Sequence, residues 1–273
     1  MESTLKRTWA EIDLDALAYN YRALRQRVGE NVRFLGVVKA DAYGHGAVQV
    51  SRTLQALGAD YLAVSSIDEA AELRHGGITM PILILGHTPR EQVGRLIDLH
   101  ITQAVTCAAK AEEYSAEAVK CGGTLKVHIK VDTGMSRLGY LCGGEMFDTG
   151  VEGICHACNA TGLEAEGIFT HFAVADEPDP DSVAYTRRQF DLFCRVIRAV
   201  VSACRARCMR SGSRACPPAK LRGWQSPTSS SSARPRARPS SAASAAGRRS
   251  SSRRRASAAI PPIRKRASTP CMP

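Results

Sequence analysis

YLAVSSIDEAAELRHGGITMPILILG, residues 61–86, decides the fold class. Tyr61–Ser65 and Pro81–Gly86 are short runs apolar on both faces, the pattern of parallel strands covered on each side. Between them, Ser66 precedes Asp68, Glu69, Ala70, Ala71, Glu72 and Leu73. That order puts a capping side chain ahead of the helix and acids in its first turn. Gly76 and Gly77 then stop it. The stretch is one strand–helix–strand unit.

Working outward, similar runs occur at Phe34–Lys39, Gln103–Cys107, Leu125–Val131 and Leu163–His171, with helical patterns between them. Unbroken alternation of this kind means an α/β fold on a parallel sheet. Six units within about 200 residues, without the glycine fingerprint of a dinucleotide-binding sheet, predict a (β/α)8 TIM-type barrel rather than a doubly wound sheet. The sixth unit closes in a helix after Pro178 and Pro180. Asp181 or Ser182 is its expected cap, and Phe190, Phe193, Ile197 and Val200 share its apolar face. Barrels of this type run to about 250 residues, so six βα units in residues 1–203 read as an incomplete barrel domain.

Composition separates that domain from the rest of the chain. With 44% apolar and 23% charged residues the chain is globular in class, and 5% aromatic content leaves little for base stacking. The formal net charge of +11 is unevenly placed: residues 204–273 hold 17 of the 37 basic side chains and no acid, whereas residues 1–203 balance at −6. Arg, Ser, Ala and Pro make up 52 of the last 70 residues, which predicts a disordered basic tail. Such a tail is either an arm for salt-sensitive, sequence-independent phosphate binding or GC-rich DNA translated out of frame, and the abrupt change inside a fold that needs more strands favours the second. Specific nucleic-acid binding is not expected. No apolar leader or membrane-length run occurs, so the expected location is cytoplasmic. Of ten cysteines, Cys155 and Cys158 form the close pair in the body; without a second pair they read as small buried side chains, and no metal site is expected.

The chemistry gathers at strand ends. Lys39 ends the first run, where barrel enzymes place catalytic groups. An apolar approach lowers an amine's pKa and suits it to attack a carbonyl; the plainer reading is a lysine escaping to solvent. Tyr43 is close enough to share a ligand, and Gly44 and Gly46 allow a tight backbone path. Strand alternation sends His128, Lys130 and Asp132 to one side and Val127, Ile129 and Val131 to the other. Lys130 inside a barrel needs a neutralising partner, either Asp132 or a chemical modification of the amine itself. Arg137 in the following loop offers donors to an anionic oxygen. His171 reaches the same rim, as a structural or a functional histidine.

These segments, TWAEIDL at 8–14, VVKADAYGHG at 37–46, KVDTGMSRLG at 130–139 and FTHFAVADE at 169–177, resemble alanine racemase over residues 7 to 195. That family consists of bacterial pyridoxal-phosphate isomerases with a barrel and a second, β-rich domain. The resemblance implies interconversion of L- and D-alanine by two-base proton transfer, in D-alanine biosynthesis. It implies that Lys39 holds pyridoxal 5'-phosphate as a Schiff base and serves as one base, that Tyr43 contacts the cofactor phosphate, and that Arg137 donates to its phenolic oxygen. Lys130 would be carbamylated beside Arg137, and His171 would lie against the pyridine ring. Alanine or serine remains open as substrate, and the family assembles as homodimers. Two further barrel units and the β-domain, which bring most of the phosphate site and the tyrosine of the second base, have no match in residues 204–273. The expectation is therefore a truncated, impaired racemase; the alternative is a non-catalytic pyridoxal-phosphate-binding barrel.

Overall fold

A computed structural model describes residues 10–211, with side chains to residue 206. The chain divides into two units, Leu14–Trp224 and Met1–Asp13 with Gln225–Pro273. Of the second, only residues 10–13 are described, and they hold no regular structure. The basic tail lies outside the described residues from position 212 onward, as do Thr8 and Trp9.

The first unit opens with α1 (Leu14–Val28) and continues through β1 (Leu35–Val37), α2 (Lys39–Gly44), α3 (Ala47–Ala56), β2 (Tyr61–Val64), α4 (Ile67–His75), β3 (Ile82–Ile84), α5 (Val93–Asp98) and β4 (Ile101–Val105). Next come α6 (Ala108–Lys120), β5 (Leu125–Asp132), β6 (Tyr140–Leu141), α7 (Phe147–Cys158), β7 (Leu163–Phe169) and α8 (Pro180–Ser211). Every strand pairing is parallel, in the order β1-β2-β3-β4-β5-β7, and β6 adds to the last two residues of β5. Six strand–helix units are present, each strand leading to the helix that covers its neighbourhood.

The two sheet faces separate barrel from doubly wound architecture. On one face Leu62, Val64, Ile82, Ile84, Ile101, Val105, Val127, Ile129 and Val131 pack with helix residues in one large core. On the other, Ala63, Leu83 and Ala104 form a small cluster with Tyr61, Leu85 and Phe169, to which no helix contributes. A doubly wound sheet would carry helices on both faces; here the second face is an inward-facing lining made by strands alone. Its N-terminal half is polar. A bulge pairs Val127 with Ala165 but His128 with Gly167, leaving Glu166 as the extra residue. Glu166 accepts from Tyr61 (2.8 Å) and Thr102 (3.1 Å) and faces Lys126 at 3.3 Å. The Tyr61 hydroxyl is held well above its ordinary pKa, first by burial.

Residues 61–86 fold as their sequence predicts. Ser66 is extended at the cap of α4 and its hydroxyl accepts from Glu69 N at 3.3 Å, while Gly77 takes the positive φ of 83° that ends the turn. Three expectations are corrected. The fourth strand is Ile101–Val105 rather than Gln103–Cys107, because extended Cys107 already serves as the cap of α6. The cap of α8 is Asp179, whose Oδ1 accepts from the amides of Asp181 and Ser182 (3.1 and 3.0 Å), so those two residues are the capped and not the capping ones. Phe190 is 37% exposed, and the buried stripe runs instead through Gln189, Val196, Ile197, Val200 and Cys204. The helix persists to Ser211, past the end of its apolar periodicity, since Ala and Arg are strong helix formers. Among the described residues, no helix is long and apolar enough to cross a membrane, and no cluster of three or more His, Cys, Asp or Glu could hold a metal ion. Cys155 and Cys158 are buried on α7, the former with its Sγ 3.7 Å from that of Cys204.

Candidate active site

Lys39 follows buried Val38, whose amide donates to Ala63 of β2 at 2.8 Å. The chain then does something unusual. Ala40, Asp41, Ala42 and Tyr43 all lie in the left-handed region, with φ between 49° and 57°. Left-handed turns of L-residues cost about 1–2 kcal/mol per residue, so the surroundings must hold this one in place. They do so with named bonds. Ala42 N donates to Val38 O (2.9 Å), His45 N to Asp41 O (2.9 Å), and Ala47 N to the Asp41 carboxylate (2.6 Å). Ala40 N donates to Glu69 Oε1 at 2.9 Å. Gly44 and Gly46 complete the path with φ of 81° and 86°. The result holds Lys39 at the rim with its Nζ 5.9 Å from the centre of the exposed Tyr43 ring.

Lys130, on β5, is 5% exposed, with its Nζ 6.0 Å from the centre of the Phe169 ring. Of the two neutralising routes open to Lys130, the Asp132 ion pair does not form. Asp132 spends its carboxylate on the loop, accepting from the amides of Gly134 (2.9 Å), Ser136 (3.1 Å) and Arg137 (3.1 Å). That arrangement folds the loop back so that Gly139, at φ 131°, passes where a Cβ would stand 2.7 Å from Asp132 N. Burial lowers the Lys130 pKa, and the Arg137 and Lys39 cations lower it further, against a smaller opposing pull from Asp132. The pKa of His171 is likewise lowered, first by desolvation and then by Arg137, Lys130 and Lys39. Four of the expected residues, Lys39, Lys130, Arg137 and His171, thus share one electrostatic neighbourhood, with Tyr43 against Lys39. Among the described residues, no carboxylate stands within ion-pair distance of Lys39, Lys130 or Arg137.

Tyr140, at the start of β6, is 6% exposed and packs against Gly153 of α7; its hydroxyl is buried, has no hydrogen-bond partner among the described residues, and is held above its ordinary pKa by desolvation. Sequence reasoning also missed the residues that tie the rim together. Gln189 of α8, 1% exposed, donates to Thr133 Oγ1 (3.3 Å) and His171 O (3.2 Å) and accepts from Ala173 N (2.9 Å). Thr170 bridges Thr133 Oγ1 (2.8 Å) and Val131 O (2.9 Å), and Tyr185 donates to Gly134 O at 2.7 Å. A lone glutamine in a polar-looking helix start carries no local signal for this.

Parallel strands lined by helices on one face, with an amine-bearing site at their C-terminal ends, define the class of barrel proteins that do their chemistry from strand-end loops. Comparison narrows the class. The family model for the N-terminal domain of alanine racemase matches residues 12–215. Alanine racemase 2 of Caldanaerobacter subterraneus subsp. tengcongensis is 41% identical over 198 residues, 72% of this chain and 49% of that protein. The alanine racemase of Clostridium perfringens is 45% identical over 190 residues, 70% of this chain and 47% of its own. The solved alanine racemase of Clostridium difficile 630 in complex with cycloserine superposes with a TM-score of 0.67 at 37% identity, covering 74% of this chain and 53% of that one. The chain belongs to the alanine racemase N-terminal domain family, and it spans about half the length of the curated relatives it matches.

Proposed function

We propose that this chain forms the lysine-bearing half of a pyridoxal-phosphate-dependent racemase acting on alanine. The observation that carries the reading is the gathering of Lys39, Lys130, Arg137 and His171 at one rim without carboxylate partners among the described residues. Such a group suits an anionic ligand, and the amine of half-buried Lys39, 5.9 Å from the centre of an aromatic ring, suits an aldehyde-bearing one. The residues present fit pyridoxal phosphate. When bound, the cofactor withdraws electrons from the substrate α-carbon and acidifies its proton.

In this reading Lys39 holds the cofactor and takes the α-proton at Nζ. Arg137 would donate to the cofactor's anionic oxygen, Tyr43 would contact its phosphate, and His171, its pKa lowered first by burial and then by its cationic neighbours, would stand against the ring. Lys130 is the site of carbamylation: its lowered pKa supplies the neutral amine that attacks carbon dioxide, and loss of a proton leaves a carbamate facing Arg137. A non-catalytic cofactor-binding barrel is the second reading, favoured by the burial of Tyr140 against α7.

The test is to incubate the protein with pyridoxal phosphate, reduce with borohydride and map the adduct. The label should fall on the peptide containing Lys39, and Lys39→Ala should abolish it. Even labelling of exposed lysines would sink the assignment.

A further inference from the structure

We propose that Glu69 is a positioning residue for Lys39, acting through the backbone amide of Ala40; the proposal rests on Lys39 being the amine that holds the cofactor. Ser66 and Glu69 have the spacing of a capping box, in which the glutamate returns to the amide of the capping serine itself. Only half of that box forms. Ser66 Oγ accepts from Glu69 N at 3.3 Å, but the Glu69 side chain passes the Ser66 amide by. Its Oε2 accepts from Ser65 N at 2.6 Å, and its Oε1 accepts from Ala40 N at 2.9 Å.

The two amides belong to neighbouring strand ends. Ser65 follows β2, Ala40 follows β1 by way of Val38 and Lys39, and the two strands pair with Val37 opposite Ala63. One carboxylate therefore clamps the C-terminal ends of two adjacent strands at the rim where the amine emerges. Ala40 is also the residue at which the backbone turns left-handed, with φ 49°. The bonds internal to that turn begin two residues later, at Ala42 N, and the entry amide of Ala40 is satisfied by Glu69. An amide at the mouth of a helical turn has no partner within the turn, and a carboxylate is the strongest acceptor it can be given. Releasing it frees the peptide immediately after Lys39, and with it the direction of the side chain.

A plain helix-stabilising role for Glu69 makes different predictions, and two controls isolate it. Ser66→Ala removes the α4 cap without touching Ala40, and Asp68→Asn removes a first-turn acid whose partner is Arg95 at 3.1 Å. The full chain is used throughout, free of cofactor for amide exchange by NMR and with pyridoxal phosphate and borohydride for labelling. Glu69→Ala is expected to speed exchange at Ala40 and Ser65 and to lower the share of label on Lys39, relative to all other lysines, by about tenfold. Glu69→Gln keeps one acceptor oxygen and should fall between, which preserves the test if the alanine variant folds poorly. Ser66→Ala and Asp68→Asn should leave the Lys39 share unchanged. Selective labelling that survives both Glu69 substitutions, or falls equally in Ser66→Ala, overturns this proposal alone. Unselective labelling in the unsubstituted protein overturns the reading of Lys39 and this proposal with it.

Discussion

Lys130 shows how a single buried amine can report on the site. Its pKa is lowered by burial and by its cationic neighbours, so between that lowered value and about 10.4 the unfolded chain binds more protons than the folded one. Stability must then rise with pH across that window, and the cost of the buried charge is fully present below it. In buffer stripped of carbon dioxide, Lys130→Met should be more stable than the unsubstituted protein at pH 7 by about 1 kcal/mol, with the advantage shrinking as pH rises toward about 10. Bicarbonate should reverse the order. A carbamate converts the misfit cation into an anion facing Arg137, and stabilisation of that size raises the melting temperature by about 2–4 °C. The effect should be larger at pH 8.5 than at 6.5, because only the neutral amine reacts, and it should vanish in Lys130→Met. Thermal melts in both buffers decide it, and a bicarbonate effect that persists in the variant would place the modification elsewhere.

At the scale of elements, α8 does more than cover β7. Gln189 joins the loop after β5 to the loop after β7, the two segments that present Arg137 and His171. Gln189→Leu keeps the volume but strands the His171 carbonyl and the Ala173 amide, which should cost about 2–3 kcal/mol in denaturant unfolding and expose the Ala173 amide to exchange. A loss below about 1 kcal/mol would show that the strands hold these loops unaided. The same element shows where sequence reading stops. Apolar periodicity found α8 and part of its stripe, Ile197 and Val200, but it chose Phe190 over Gln189, since a buried amide is acceptable only once non-local partners satisfy it. Strands β2, β3, β5 and β7 were legible because β-branched and apolar runs are local signals. The shared placement of Lys39, Arg137 and His171 was legible because each follows the C-terminal end of a parallel strand. The left-handed turn after Lys39 was not: Ala-Asp-Ala-Tyr has no intrinsic preference for that hand, and the bonds from Glu69 and Asp41 that enforce it come from tertiary structure. The use of Asp132 on its own loop was hidden for the same reason.

For the molecule as a whole, the question is what one placed base can do. Racemisation requires removal of the α-proton on one face and delivery on the other. In the proposed reading Lys39 supplies one face. Tyr43 stands on Lys39's own turn, Tyr140 lies beneath α7, and Tyr185 is committed to the Gly134 carbonyl. On the proposed reading, this arrangement favours return of the proton to the face it left. With excess pyridoxal phosphate, L-alanine deuterated at the α-carbon should lose its label to solvent faster than D-alanine appears. A positioned acid–base group is worth about 10²–10⁴-fold, so washout should exceed racemisation by a factor within that range. Lys39→Ala should abolish both. Equal rates of washout and D-alanine formation would mean that a second proton donor reaches the opposite face. Binding without any washout would favour the non-catalytic barrel. Running the same assay on L-serine separates the substrates, because a site that accepts the extra hydroxyl would wash both amino acids at comparable rates.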